Sequence, residues 1–361
     1  MSAMLTYMPH NVSLCNILAM SALGRERNCG IEEIPRLEFA NFIAHLSADW
    51  KLWGGTRKRI MSNLSIIPFD DRDGVIWFNG EMVPWRDAKV HVLNHGLHYG
   101  SCVFEGLRVY GGRFFKLREH TERLFASARG LGFEIPYSRD DIEAATRAVV
   151  AEQKIVDGYI RPVAWRGSEM MAVSARKNRV HVAIATWTWP AYFSAEARLR
   201  GLRLAIAKWK RPAPDTAPTH SKAAGLYMIC TLSKHAAEDA GYDEALMLDY
   251  RGLVAESTSS NIFLVQNGEL HTPIPDCFLD GITRQTVIGL AKARGIKVVE
   301  RQIAPEEFAK TQEVFLTGTA VEITAVGEIG PYKFTVGPVT RQLAEDYERL
   351  VRAPAAAASA A

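Results

Sequence analysis

No two of the five cysteines, Cys15, Cys29, Cys102, Cys230 and Cys277, are spaced as CxxC. That pattern argues against a zinc site and against a disulfide framework, and the thiols read as reduced side chains of a cytoplasmic protein. An excess of one charge is equally lacking. Lys and Arg number 43 against 40 Asp and Glu, a net +3, and no segment carries the dense basic face that a phosphate backbone requires, so nucleic acid is not an expected partner. Long apolar runs are missing too: the stretch from Val12 to Ala22 is broken by Ser13, Cys15, Asn16 and Ser21 and has no Lys or Arg before it. Neither a membrane span nor a secretory signal is expected there. What is present, 48% hydrophobic and 23% charged residues over 361 positions, describes a soluble globular chain long enough for two domains, with a small molecule as its partner.

Residues 1–65 differ in pattern from the rest of the chain and are expected to be a flexible extension, with one helix within 32–52 and a further methionine, Met61, close to where the regular pattern begins. From Val75 the signals are regular. Val75-Ile-Trp-Phe78, Asn79-Gly80 and Glu81-Met-Val83 predict a hairpin, and Gly111-Gly112 predicts a second one between Val109 and Phe115. Helices are expected over 117–131 and 140–153, and strands over 158–165 and 180–185. These complete a small α+β domain over 66–187, followed by an aromatic connector at 188–201. A large domain over 202–352 is expected to hold a strand at 202–207, a helix over 223–240, strands around Glu256 and Asn261, a helix opening after Gly281 and closing at Gly295, a strand and turn at 314–320, and a terminal helix over 338–352. The Ala/Ser run 353–361 reads as a disordered tail.

Lys222 is the residue with the most chemistry to offer, because it stands in an almost uncharged run, Ala217 to Tyr227. Burial disfavours an ammonium, so a desolvated lysine can attack a carbonyl as the neutral amine; the other reading, a solvated surface lysine, stays open on this segment alone. Glu256 lies among apolar and hydroxyl residues, where a carboxylate needs a cation or a proton donor beside it. Ile282 and Thr283 open a helix behind Gly281, a place where free N–H groups and the helix dipole favour an anion. Arg123 sits beside the apolar stripe of the helix 117–131. The glycine-rich segment 95–108 offers an aromatic wall and a fixed cation in Tyr99, Phe104 and Arg108.

Taken in order, Trp77-Phe-Asn-Gly-Glu-Met-Val83, His98-Tyr-Gly100, Val103-Phe-Glu-Gly-Leu-Arg108, Glu119-His-Thr-Glu-Arg123, Tyr159-Ile-Arg-Pro162, Pro218-Thr-His-Ser-Lys222, Leu253-Val-Ala-Glu256 with Asn261, Gly281-Ile-Thr-Arg284 and Gly318-Thr-Ala320 resemble the fold-type IV pyridoxal-phosphate enzymes over roughly residues 70–350. Within them the branched-chain amino-acid aminotransferases fit best. The resemblance implies a two-domain α+β / α/β fold with pyridoxal 5′-phosphate at the domain interface, Lys222 as covalent anchor and proton carrier, and Glu256 on the pyridine nitrogen. It places Arg123, Ile282, Thr283 and Thr319 at the phosphate and Tyr227 at the pyridine hydroxyl. For substrates it implies an apolar wall of Tyr99, Phe104, Trp189 and Tyr192, a carboxylate partner in Arg161 with Arg108 nearby, and an α-carboxylate site from Tyr159 and Gly318, Thr319 and Ala320. Amino acids and 2-oxo acids are then the small-molecule partners, and a homodimer is the least assembly implied. Departures stand at Ala224 and Leu226, where the family often has glycine and asparagine, and at Ser257 to Ser260, which is less glycine-rich. The same framework serves D-amino-acid aminotransferases and aminodeoxychorismate lyases, which differ around residues 99–108, and a cofactor-binding protein without turnover is the reading from another class.

Overall fold

Asn79 (φ 51°) and Gly80 (φ 101°) both adopt the left-handed backbone that a tight two-residue hairpin turn requires, and they join β1 (Val75–Phe78) to β2 (Glu81–Pro84) as the dipeptide predicts. The structure is a computed structural model that describes residues 67–189 and 200–353. The expected extension 1–65, the tail 354–361 and Tyr192 of the aromatic connector lie outside the described residues. From Pro68 onward the chain forms one unit built on two sheets.

The first sheet continues with α1 (His95–Tyr99), β3 (Cys102–Phe104), β4 (Leu107–Tyr110), β5 (Arg113–Phe114), α2 (Leu117–Gly130), α3 (Arg139–Glu152), β6 (Gly158–Arg166) and β7 (Val180–Thr188). Its seven strands run β2-β1-β7-β6-β4-β5 with β3 also on β6, and every pairing is antiparallel. Helix α2 buries Leu117, Leu124, Phe125 and Ala128, and α3 buries Ile142, Ala145 and Val149, against Val103, Leu107, Ile160 and Ile184 of the sheet. Ser138 caps α3 by accepting the Asp141 N–H while the Asp141 carboxylate accepts the Ser138 N–H, a reciprocal capping box. Because the α2 stripe faces the sheet, the neighbouring positions His120, Arg123 and Ser127 are held at one side of it, next to β3.

The second sheet comprises β8 (Leu202–Ile206), β9 (Glu244–Leu248), β10 (Val254–Ser257), β11 (Asn261–Gln266), β12 (Glu269–Pro273), β13 (Val298–Arg301), β14 (Glu313–Gly318), β15 (Glu322–Ile329) and β16 (Tyr332–Lys333). Helix α4 (Met228–Asp239) follows β8, α5 (Ile282–Ala293) follows β12, and α6 (Pro338–Arg352) ends the described chain. The strand order is β10-β9-β8-β15-β14-β11-β12-β13, and a further pairing of Glu256 with Asn261 joins β10 to β11, so that part of the sheet closes on itself. Phe263, Phe315, Val287 and Leu343 form one side of its core, and Leu204, Leu246, Ile262, Leu316 and Phe308 the other.

Four expectations are corrected. The helix foreseen over 223–240 is a 3-10 turn, Ala224–Tyr227, followed by α4 from Met228. The segment 95–108 holds a short helix capped by the Asn94 side chain, which accepts the Gly96 N–H. Strand β7 runs on to Thr188, past the expected 180–185 and into the first residue of the expected connector. Beyond the turn at 317–320, where no further strand is expected, lies an eight-residue strand, β15, that pairs with β14, β8 and β16. Among the described residues no helix is long and apolar enough to cross a membrane.

Candidate active site

The backbone of Lys222 is pinned on both sides before its side chain does anything. Its N–H donates to Ser127 Oγ of α2 at 2.9 Å, its carbonyl accepts the Phe104 N–H of β3 at 3.1 Å, and Ala223 bridges to Val103. The side chain then enters a cleft of about 490 Å³ whose walls include Arg123, Arg211, Tyr227, Glu256, Thr317 and Thr319. Nζ donates to Tyr227 Oη at 2.8 Å and lies 5.0 Å from the Phe104 ring, which meets Tyr227 edge-on at 4.9 Å. Burial, with Arg123 as the next influence, lowers the Lys222 amine from 10.5 to about 8. Burial raises the Tyr227 phenol above its usual value, so it stays protonated at neutral pH.

Glu256 faces the same cleft from β10. Its Oε2 accepts from Asn261 Nδ2 at 3.2 Å, and its Oε1 lies 3.4 Å from Arg211 Nε, an ion pair without hydrogen-bond alignment. Burial outweighs Arg211 and raises the carboxyl from 4.5 to about 7. Asn261 does more than touch Glu256: Nδ2 also donates to the Leu279 carbonyl at 2.9 Å, and Oδ1 accepts the Gly281 N–H at 3.1 Å. The strand pair that closes the sheet is thereby tied to the turn opening α5. A Cβ on Gly281 would lie 2.2 Å from Asn261 Oδ1, so glycine is required for that approach. No side chain caps α5, and Ile282 and Thr283, its first two residues, line the cleft with N–H groups that have no intrahelical acceptor. The buried Thr317 hydroxyl, on the same wall, has no hydrogen-bond partner among the described residues.

Lys222, Arg123, Tyr227, Glu256, Ile282, Thr283, Gly318 and Thr319 are therefore brought together on one cleft. Phe104 borders Lys222, and behind it Arg161 lies 4.8 Å from the Phe104 ring and donates from Nη2 to Tyr159 Oη at 3.2 Å. Tyr159, Trp187 and Trp189 form a three-ring cluster, with Tyr159 5.2 and 5.0 Å from the two indoles and these 6.1 Å apart. Arg161 also opens onto an apolar cavity of about 920 Å³ with Phe78, Val163, Trp165 and Ala224 among its walls. Three expected residues stand elsewhere. Arg108 does not line either cavity; it is buried 3.7 Å from Glu322 and over the Tyr110 ring, because it points from β4 toward the start of β15. Ala320 is not among the cleft walls, and Tyr99 is 46% exposed beside His95.

Four site residues escaped the sequence reasoning. Arg211 was hidden in a basic run, Lys208 to Arg211, that resembles a solvated loop. Glu105 and His120 were visible only as letters of motifs, yet the Glu105 carboxylate is wholly buried and accepts from Arg123 Nε at 2.6 Å, Arg123 Nη2 at 2.9 Å and His120 Nδ1 at 2.7 Å. Burial opposes its charge, but Arg123 and His120 together outweigh burial and hold the carboxyl well below its usual range. Ser127 gave no signal at all.

The pattern of the amino-transferase class IV family matches residues 102–329. A branched-chain-amino-acid aminotransferase of Pseudomonas aeruginosa is 44% identical over 288 residues, 78% of this chain and 94% of that protein. The crystal structure of a branched-chain aminotransferase from Thermoproteus uzoniensis with norvaline superposes with a TM-score of 0.74 at 37% identity, covering 78% and 95% of the two chains. That of a branched-chain amino acid aminotransferase from Thermobaculum terrenum in its PLP-bound holo-form gives 0.71 at 31%, covering 78% and 94%.

Proposed function

The chain belongs to the amino-transferase class IV family, and from that premise we propose that it exchanges the amino group between the L-branched-chain amino acids leucine, isoleucine and valine and 2-oxoglutarate, with pyridoxal 5′-phosphate in the Lys222 cleft. The observation that carries this reading is the convergence on one cleft of a lysine amine lowered to about 8, a buried carboxylate, and a set of anion-binding groups that includes an uncapped helix start and a buried hydroxyl without a partner among the described residues. Those groups fit the cofactor's chemistry: Arg123, the uncapped start of α5 and the free Thr317 hydroxyl suit a phosphate, and Glu256 suits a protonated ring nitrogen. When bound, the cofactor supplies a carbonyl carbon to which an amine can be joined and a ring that takes up the electron pair left when a Cα–H bond breaks.

The chain's own residues do the rest. With its amine at about 8, Lys222 is neutral in roughly one molecule in ten at pH 7, against fewer than one in a thousand for an ordinary lysine. With the cofactor bound, the same Nζ would take the proton from the substrate's Cα and give it to the cofactor carbon that the amine has joined, so that the proton lost at one carbon is gained at the other. Tyr227 Oη orients that nitrogen through the 2.8 Å hydrogen bond. Glu256 keeps a proton on the group it faces, and Arg211 and Asn261 keep Glu256 in place. Phe104 and Trp189 form the apolar wall for an aliphatic side chain, while the Arg161 guanidinium beside Tyr159 receives the distal carboxylate of glutamate or 2-oxoglutarate.

A homodimer completes the reading. Val92 (73% exposed), Leu97 (67% exposed) and Tyr99 are exposed large apolar side chains within one short stretch at and before α1, and exposed apolar groups clustered in that way are suited to a second copy, which would bring Tyr99 to a neighbouring cleft. We place the enzyme in the cytoplasm, in keeping with Cys102, Cys230 and Cys277, which are all free thiols. The test is to supply L-leucine, L-isoleucine, L-valine, D-alanine or D-glutamate with a 2-oxo acid acceptor and follow oxo-acid formation. Turnover with the L-branched donors and 2-oxoglutarate is expected; turnover with the D-isomers alone overturns the substrate assignment.

A further inference from the structure

Glu105 is a fully buried carboxylate that lines neither of the two cavities described above, and isolated burial of such a charge is strongly unfavourable. Its position accounts for what it does. It stands in the turn between β3 and β4, with Phe104 before it donating its N–H to the Lys222 carbonyl and Gly106 after it lying bare against the Tyr159 hydroxyl. From that turn the carboxylate grips Arg123 through Nε and Nη2 together, leaving Nη1 without a partner among the described residues on a side chain that lines the cleft. His120, one turn earlier on α2, donates Nδ1 to Oε2 and fixes the carboxylate itself, as does the Gly106 N–H at 3.2 Å. A guanidinium held by two of its nitrogens loses its freedom to rotate and presents the third in one direction.

We propose that Glu105 is the positioning residue of the anion site: by clamping Arg123 it aims the one free guanidinium nitrogen at the phosphate of the cofactor, with His120 holding the clamp. This rests on the cofactor assignment made above. Two effects of Glu105 oppose each other. Its negative charge, a few ångströms behind Arg123, weakens phosphate binding by simple Coulomb repulsion, while its clamp strengthens it by removing the entropy of an unfixed arginine. Glu105→Gln would change both at once, so Glu105→Asp is the informative variant: the charge stays and the carboxylate withdraws by one methylene from the two-point grip.

The experiment measures the dissociation constants of pyridoxal 5′-phosphate and of pyridoxal, which lacks the phosphate, on cofactor-free wild type, E105D and H120N. The expected result is a loss of about tenfold in affinity for the phosphorylated cofactor in E105D and a smaller loss in H120N, with pyridoxal affinity within about twofold of wild type in both. In an R123K background, E105D should have no further effect on the ratio of the two affinities, because the arginine through which it acts is gone. Equal losses for both ligands would show that Glu105 only supports the fold, and an unchanged ratio in E105D would also overturn the proposal. If E105D does not fold, the ratio in H120N decides in the same way. A wild type that does not prefer pyridoxal 5′-phosphate to pyridoxal would instead contradict the cofactor assignment, so the two failures are distinguishable.

Discussion

Replacing Glu256 by Gln should make the cofactor-free protein more stable at pH 8 while removing much of its activity. In the folded chain burial lifts the carboxyl from 4.5 to about 7 against the pull of Arg211 and Lys222. Between those two values the native state keeps a proton that the unfolded chain has released, so native Glu256 makes stability fall as pH rises from 4.5 to 7, and the whole penalty is present above 7. At about 1.4 kcal/mol for each tenfold in proton affinity, the rise corresponds to a penalty of about 3 kcal/mol. Glutamine carries no proton to lose, so the penalty disappears, and its single oxygen can face Arg211 or Asn261 but not both, which gives back part of the gain. Urea denaturation of cofactor-free wild type and E256Q at pH 5 and pH 8 reads it directly. The difference between the two proteins should be small at pH 5 and reach about 2–3 kcal/mol in favour of the variant at pH 8. A variant no more stable than wild type at pH 8 would mean that Glu256 is already satisfied by Arg211, and the case for a proton donor facing it from the cleft would fail. Saturation with cofactor should lift wild type more than E256Q, because a protonated ring nitrogen relieves the buried charge.

Other consequences can be measured with less effort. Lys222→Ala should abolish the cofactor-linked absorbance in the visible range and lower turnover by orders of magnitude, since capture and proton transfer share one amine; an unaltered spectrum would contradict the anchor role. The rate at which cofactor-free protein captures pyridoxal 5′-phosphate should climb nearly tenfold per pH unit up to about 8 and then level, following the neutral fraction of Lys222. A rise that continues to about pH 10 would show an unperturbed lysine. Gly106→Ala would put a Cβ 1.8 Å from Tyr159 Oη on a ring already flanked by Trp187 and Trp189. An overpacking cost of about 1–3 kcal/mol should then appear as a raised KM for both substrates; a lowered Tm with KM unchanged would locate the clash outside the substrate site.

Local signals were the legible part of this chain. The Asn79-Gly80 turn, the α2 stripe from Leu117 to Ala128 and the end of α5 before Gly295 (φ 73°) depend on neighbours in sequence, and each folds as its pattern predicts. Lys222 was legible for a related reason, since its surroundings in sequence are nearly free of charge. The 3-10 turn after it was not, because Leu226, Met228 and Leu232 continue an apolar spacing that fits a longer helix. Long-range pairing hides residues more thoroughly. Arg211 is 3% exposed and Lys210 beside it is exposed, although the two are consecutive cations in one loop. Only the β-closure that sets Glu256 opposite Asn261 makes that arginine part of the site. Arg108 shows the converse: it shares a motif with Phe104, yet it sits on β4 beyond the turn that ends β3, and the geometry sends it to Glu322.

The charges of the cleft explain why one small ligand can complete it. Lys222, Arg123 and Arg211 face Glu256, and Glu105 behind Arg123 neutralises one of the three cations. When Glu256 is protonated the cleft is electropositive, and that field adds to burial in bringing the lysine amine down to about 8 and keeps an arginine and a helix start ready for an anion. A ligand with a phosphate at one end and a protonated nitrogen at the other supplies a negative group to Arg123 and Thr317 and a proton donor to Glu256. Each of those groups lacks a full complement of partners in the protein alone. Lysine reactivity and cofactor binding are thus two consequences of the same unbalanced cluster. A substitution that removes the buried carboxylate and its penalty, as Glu256→Gln does, gains stability by giving up function.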